Sequence, residues 1–81
     1  MPIVRLFAQA REAAGTGRDL IPGSTVAEVL DGAADRFGGD FARVLTTCGV
    51  WVNGEPADRL DRVGGDDEVA ILPPVSGGCG G

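Results

Sequence analysis

Near the start of the chain, apolar and polar residues alternate: Val4, Leu6 and Ala8 fall on one side, and Ile3, Arg5 and Phe7 on the other. That period of two predicts a half-buried strand over residues 3–8. Residues 9–17 are polar and small and close on Gly15-Thr16-Gly17, so they read as a loop. Residues 18–21 form a short second strand stopped by Pro22-Gly23. Two strands joined by such a connection most simply pair antiparallel. The period then changes to that of a helix. Thr25 and Glu28 have capping-box spacing. Val26, Val29, Leu30, Ala33, Ala34 and Phe37 follow at i, i+3, i+4, i+7, i+8 and i+11, one apolar stripe. The helix is expected to run from near Thr25 to near Gly38, with Gly38-Gly39 as a left-handed C-cap. Gly32 inside it costs about 1 kcal/mol relative to Ala, so packing must hold this helix.

Residues 41–47 read as a helical turn leading back to the sheet. Residues 49–53 are a third strand, with Val50 and Val52 on one face and Trp51 on the other, and Asn53-Gly54 is a strong hairpin signal. The stretch 55–65 should hold a short strand, with Leu60 and Val63 as apolar anchors. The last strand starts at Asp67 or Glu68, puts Val69 and Ile71 on one face and Ala70 and Leu72 on the other, and stops at Pro73-Pro74. The predicted architecture is α+β: one main helix across a mixed sheet of four or five strands, in a domain over residues 1–75. A glycine-rich tail occupies residues 76–81. If the valines, Leu6 and Ile71 face the helix, then Phe7, Trp51 and Leu72 share the opposite face. Scattered exposed apolar side chains are ordinary, but three large ones on neighbouring strands read as a docking patch.

Composition narrows the function. Eighty-one residues leave room for one small domain. Twelve acids against seven bases, all of them arginine, give a net charge of −5. That disfavours nucleic acid and anionic membrane surfaces, and permits a partner with a basic docking surface. No apolar run approaches the ~20 residues of a membrane span and no secretory leader opens the chain, so a soluble, cytoplasmic protein is expected. With no His, Lys or Tyr the usual neutral-pH acid/base, the Schiff-base amine and the phenol are all missing. Cys48 and Cys79 alone cannot complete a zinc site, and a pair so far apart is no secreted disulfide framework. No metal site and no catalytic group of its own are expected. Such a chain takes part in chemistry as a substrate, a carrier or a subunit.

The tail reads Val75-Ser76-Gly77-Gly78-Cys79-Gly80-Gly81. As structure, it is a frayed terminus. As chemistry, a stiff Pro73-Pro74 segment followed by residues without side chains is a thin probe, able to present a terminal carboxylate deep inside another protein.

Three blocks carry a family resemblance: the residues from Leu6-Phe7-Ala8 to Gly15, Val52-Asn53-Gly54-Glu55-Pro56, and the residues from Asp67-Glu68-Val69 through Pro73-Pro74-Val75-Ser76-Gly77-Gly78. With them the sequence resembles the ubiquitin-like sulfur carriers, in particular small subunits of molybdopterin synthase. The resemblance implies the β-grasp fold and a cycle of reactions. An ATP-dependent, E1-like activating enzyme adenylates the C-terminal glycine, a persulfide sulfur displaces AMP, and the resulting thiocarboxylate donates sulfur in the active site of a synthase subunit. The carrier binds no cofactor itself. The expected partner-docking residues are the outward-facing Phe7, Trp51 and Leu72 together with Pro73, Pro74 and Val75, which follow them along the chain.

The family's small subunit ends at the glycine matching Gly78, whereas this chain continues with Cys79-Gly80-Gly81. Either Gly81, preceded by Gly80, carries the sulfur, or a protease trims three residues and exposes Gly78, preceded by Gly77. Related carriers serve molybdopterin, thiamin, cysteine, thiosugar and other thio-metabolite pathways. Cys79 reads as an ordinary thiol, since no cationic neighbour lowers its pKa; the alternative is a part in sulfur exchange or a mixed disulfide with the activating enzyme. Cys48 reads as a small buried hydrophobe, and Arg11 and Glu12 as a solvated pair, to which the resemblance gives a docking role as the alternative. The second function class is a ubiquitin-like interaction or modifier module without sulfur transfer.

Overall fold

The alternating segments become strands β1 (Ile3–Leu6), β2 (Arg18–Leu20), β3 (Gly49–Val52), β4 (Glu55–Pro56) and β5 (Glu68–Leu72). They are seen in a computed structural model that describes residues 1–73. Helices α1 (Ala8–Ala14), α2 (Val26–Phe37) and α3 (Gly39–Leu45) complete the order. The sheet runs β2-β1-β5-β3-β4. β1 pairs antiparallel with β2 and parallel with β5, and β3 pairs antiparallel with β5 and β4. β5, the last strand among the described residues, is therefore central, and the expected α+β, β-grasp architecture is present.

The period-two residues meet the helix stripe in one core. Val4, Leu6, Val69 and Ile71 come from the sheet and Val26, Val29, Leu30 and Ala33 from α2, all buried. Val50 and Val52 pack against them from β3. The start of α2 follows the capping pattern with one change. Thr25 Oγ1 accepts the Glu28 N–H at 3.2 Å, but the Glu28 carboxylate reaches past Thr25 to the N–H and hydroxyl of Ser24, at 2.8 and 3.0 Å. Those two donors hold its carboxyl below the usual range. At the other end, Arg36 donates to Asp19 and ties the last turn of α2 to β2. The Asp19 carboxyl is held low, first by Arg36 and then by the Leu20 N–H.

The hairpin signal at Asn53-Gly54 is realised with positive φ at both residues, 52° and 85°. Asn53 also locks the turn to the start of β5. Its side chain donates to Asp67 Oδ1 and accepts the Glu68 N–H, each at 2.9 Å.

Five expectations need correction. The stretch read as a loop over residues 9–17 begins with α1, whose helical signal lies in Ala, Gln, Arg and Glu propensity rather than in a stripe; only Ala10 is fully buried. Because α1 starts so early, the first strand stops at Leu6 and Ala8 turns off it at φ 49°. Residues 41–47 are more than a turn: α3 starts at Gly39, and Gly38, at φ 99° and ψ −177°, is a break between two helices rather than a left-handed cap. The sheet thus carries α2 as its longest helix together with two shorter ones. Finally, Leu60 is no anchor, being 84% exposed; Val63 anchors that loop alone, at 7%.

Gly32 has a packing reason. A Cβ there would stand 2.9 Å from Cγ2 of Ile21, a buried β-branched residue with little room to move. Gly32→Ala gains about 1 kcal/mol of helix propensity but overpacks the contact, at a cost of about 1–3 kcal/mol. We expect a net loss of stability, read as a lower urea midpoint; a raised midpoint would mean the contact yields. Among the described residues no helix is long and apolar enough to cross a membrane.

Candidate functional site

The face of the sheet turned away from the helices is set by register. Arg5 lies opposite Arg18 on one side and Ala70 on the other, Ala70 lies opposite Trp51, and Trp51 opposite Pro56. One row toward the start of β5, Leu20, Ile3 and Glu68 align; one row toward its end, Leu72 lies opposite Gly49. Phe7 extends the alternation of β1, since its backbone stays extended at φ −128° and ψ 151°. Its N–H still donates to the Ile71 carbonyl at 3.2 Å. Phe7 therefore stands beside Leu72, with Trp51 diagonal to Leu72 on the neighbouring strand β3.

Exposure agrees with this placement. Phe7 is 38% and Trp51 40% exposed, and Leu72 is half-buried. The three side chains grouped by alternation do share one face, although Phe7 reaches it from the N-cap of α1 and not from within a strand. A Cβ at Gly49 would make only ordinary contact with the indole, 3.9 Å from Trp51 Nε1.

Two further members of the face were not singled out from the sequence. Arg5 bonds Glu68 Oε2 at 3.1 Å, and its guanidinium sits 5.8 Å from the Phe7 ring centroid. The contact places a cation over one face of the Phe7 ring. The alternation of Ile3, Arg5 and Phe7 already placed Arg5 here. Leu20, 49% exposed, joins the face only through its register with Ile3. No sequence period links those two residues.

β5 leads the chain out of the sheet at Pro73, the last described residue. The positions expected to dock or carry sulfur beyond it, Pro74, Val75, Gly77, Gly78, Cys79, Gly80 and Gly81, lie outside the described residues. Cys48 does not enter the core as expected. It is half-buried, and burial pushes its thiol up. Arg11 and Glu12 are exposed. Among the described residues no cluster of His, Cys, Asp or Glu could hold a metal ion.

Comparison with known proteins agrees with this geometry. The model of the ThiS family matches residues 4–78. The chain is 35% identical to the molybdopterin synthase sulfur carrier subunit of Phaeosphaeria nodorum, an alignment covering 89% of this chain and 84% of that protein. The crystal structure of SAMP1 from Haloferax volcanii superposes with a TM-score of 0.76 at 32% identity, over 93% of this chain and 96% of that one. A chain of the Amycolatopsis orientalis BexX/CysO complex does so with a TM-score of 0.79 at 26% identity, over 95% and 99%. A β-grasp whose sequence matches from the first strand into the glycine tail identifies the chain as a member of the ThiS family of ubiquitin-like sulfur carriers.

Proposed function

We propose that the chain carries sulfur as a C-terminal thiocarboxylate and hands it to a synthase subunit making molybdopterin or another sulfur-containing metabolite. The observation that carries this reading is the position of β5. The strand is clamped between β1 and β3, so the body of the domain is a rigid handle from whose centre residues 73–81 depart. A carrier needs that division, because its end must enter another protein's active site while its body is gripped outside. Phe7, Trp51 and Leu72 are the grip, a partly exposed apolar group where β5 ends.

The chemistry belongs to the partners, which suits a chain without His, Lys or Tyr. A carboxylate is a poor electrophile. Transfer of AMP from ATP by an activating enzyme makes it a mixed anhydride with a good leaving group. A persulfide sulfur attacks the carbonyl carbon and AMP departs. Reductive cleavage of the resulting acyl disulfide by a thiol leaves the thiocarboxylate. A cytosolic setting would keep the participating thiols reduced.

The test is direct. Incubation of the full chain with the activating enzyme of the same organism, ATP and a persulfide donor should replace one terminal oxygen by sulfur, seen by intact-mass spectrometry. Charging of the intact chain assigns Gly81; charging only after loss of three residues assigns Gly78 and a trimming protease. Gly81→Ala should block the first route and spare the second. If neither form is ever adenylated, the carrier reading fails. The likeness to SAMP1, a small archaeal modifier protein, favours as second reading a modifier module. That reading would show itself as an isopeptide-linked adduct on a lysine of another protein.

A further inference from the structure

The docking face and the rest of the domain carry opposite charge. Arg18 of β2 lies opposite Arg5 of β1, so both side chains stand on the face that bears Phe7 and Trp51. Glu68, one row along, is the carboxylate of those rows. The other strand acids, Asp19 and Glu55, lie opposite Val4 and Val52 and take the other phase. Of the chain's twelve acids and seven arginines, eleven and five lie outside these rows. A net charge of −5 allows a partner with a basic docking surface, but the register gives the docking face the other sign.

The two arginines are not equivalent. Arg5 is committed: it bonds Glu68 Oε2 at 3.1 Å and lies 5.8 Å from the Phe7 ring centroid. Arg18 is exposed, and among the described residues it has no carboxylate partner. Like charges directly opposite on a sheet are destabilising. Arg18 therefore weakens the sheet slightly, and no ion pair among the described residues offsets that. Its backbone is held all the same. The Thr16 hydroxyl accepts the Arg18 N–H at 3.4 Å and donates to the Arg18 carbonyl at 3.0 Å. Strand pairing and this turn present the side chain outward from the edge of the sheet, on the same face as the exposed Leu20.

We propose that Arg18 is a specificity contact, and that the partner surface seated on this face is apolar at its middle and brings a carboxylate to Arg18. The inference rests on the carrier reading and adds to it the chemistry of the partner. Shape and sign select that occupant. Phe7, Trp51 and Leu20 match an apolar surface, and a guanidinium takes a carboxylate through two parallel N–H···O bonds. Nucleic acid does not fit, because two arginines are no basic patch and the acids outside the face repel a polyanion. A basic protein surface would meet two like charges. The segregation also orients approach. Glu28, Asp31 and Asp35 on α2 and Asp40 on α3 lie on the helix side. An acidic patch on the partner is repelled there and drawn to the sheet side, which suppresses docking on the wrong face.

The experiment measures binding of the full chain to the activating enzyme of the same organism by surface plasmon resonance, at low and at high salt. Arg18→Glu should weaken binding about tenfold or more at low salt, mainly through slower association, and Arg18→Ala about threefold. Both differences should shrink at high salt. Arg18→Lys, which keeps the charge but not the fork, should bind better than Arg18→Ala. Arg43→Glu, at an exposed position on α3, changes the net charge equally and should bind close to wild type. Stability separates a contact from a structural role. Arg18→Glu sets opposite charges across from each other, so its urea midpoint should not fall below wild type.

The proposal is overturned if Arg18→Glu binds as tightly as wild type or tighter, or if Arg43→Glu weakens binding as much. A lowered urea midpoint for both Arg18→Glu and Arg18→Ala would make Arg18 a structural residue and overturn it too. If Trp51→Ala and Phe7→Ala lose binding while Arg18→Glu does not, the face remains the grip and only the acidic partner is refuted. If the wild type itself does not bind, the proposal fails, and the mass change on charging decides whether the carrier reading fails with it.

Discussion

Phe41→Ala is expected to lower stability by about 3–5 kcal/mol. Phe41 is fully buried and is the largest such side chain in the domain. Its ring meets Phe37 edge-on, with centroids 5.1 Å apart and planes at 70°. It thus joins α3 to α2 across the break at Gly38. Truncation removes the transfer energy of the ring and leaves a cavity that two short connected elements can only partly close. A chain of 81 residues has roughly 4–12 kcal/mol of total stability, so the variant should be largely unfolded or close to it at physiological temperature. Urea denaturation reads the effect as a large drop in midpoint. Phe41→Leu should cost markedly less, because most of the volume stays. A stability within about 1 kcal/mol of wild type for Phe41→Ala would mean that α3 packs without its anchor.

The second large effect is on binding. Trp51→Ala and Phe7→Ala are each expected to weaken binding to the activating enzyme by more than about 1 kcal/mol, roughly fivefold or more, as central aromatic residues of an interface do. Each is more than a third exposed, so the free domain should lose little stability. The affinity change should therefore be separable from unfolding by circular dichroism. Leu60→Ala is the control: it is more exposed than either, at 84%, but lies in the loop after β4, off this face. If Leu60→Ala weakens binding as much as Trp51→Ala, recognition is general apolar contact and the face is not its seat. If both aromatic variants bind like wild type, the face is ordinary surface.

These two residues show where the sequence was readable. Trp51 sits in an alternating strand whose half-buried neighbours, Val50 and Val52, pack against the core, so its outward direction followed from period two alone. Phe41 lies in a segment whose apolar residues, Phe41, Val44 and Leu45, fit a helix, but are too few to tell it from a turn. Helix α1 was missed because the residues it packs on the core are alanines, which make no apolar stripe: Ala10 is buried, with Ala13 and Ala14 packed on the core. Small side chains buried by contact with α3 have no pattern distinct from a small-residue loop.

The sequence by itself determined the strand faces, the capped main helix and the Asn53-Gly54 turn, since each depends on neighbours within a few residues. Only the tertiary structure decided that Leu20 joins the outer face, that α3 packs through Phe41, and that Arg18 stands opposite Arg5. Those facts depend on which strands pair and in what register. Register is a long-range choice, made by the whole buried face at once and carried by no single segment.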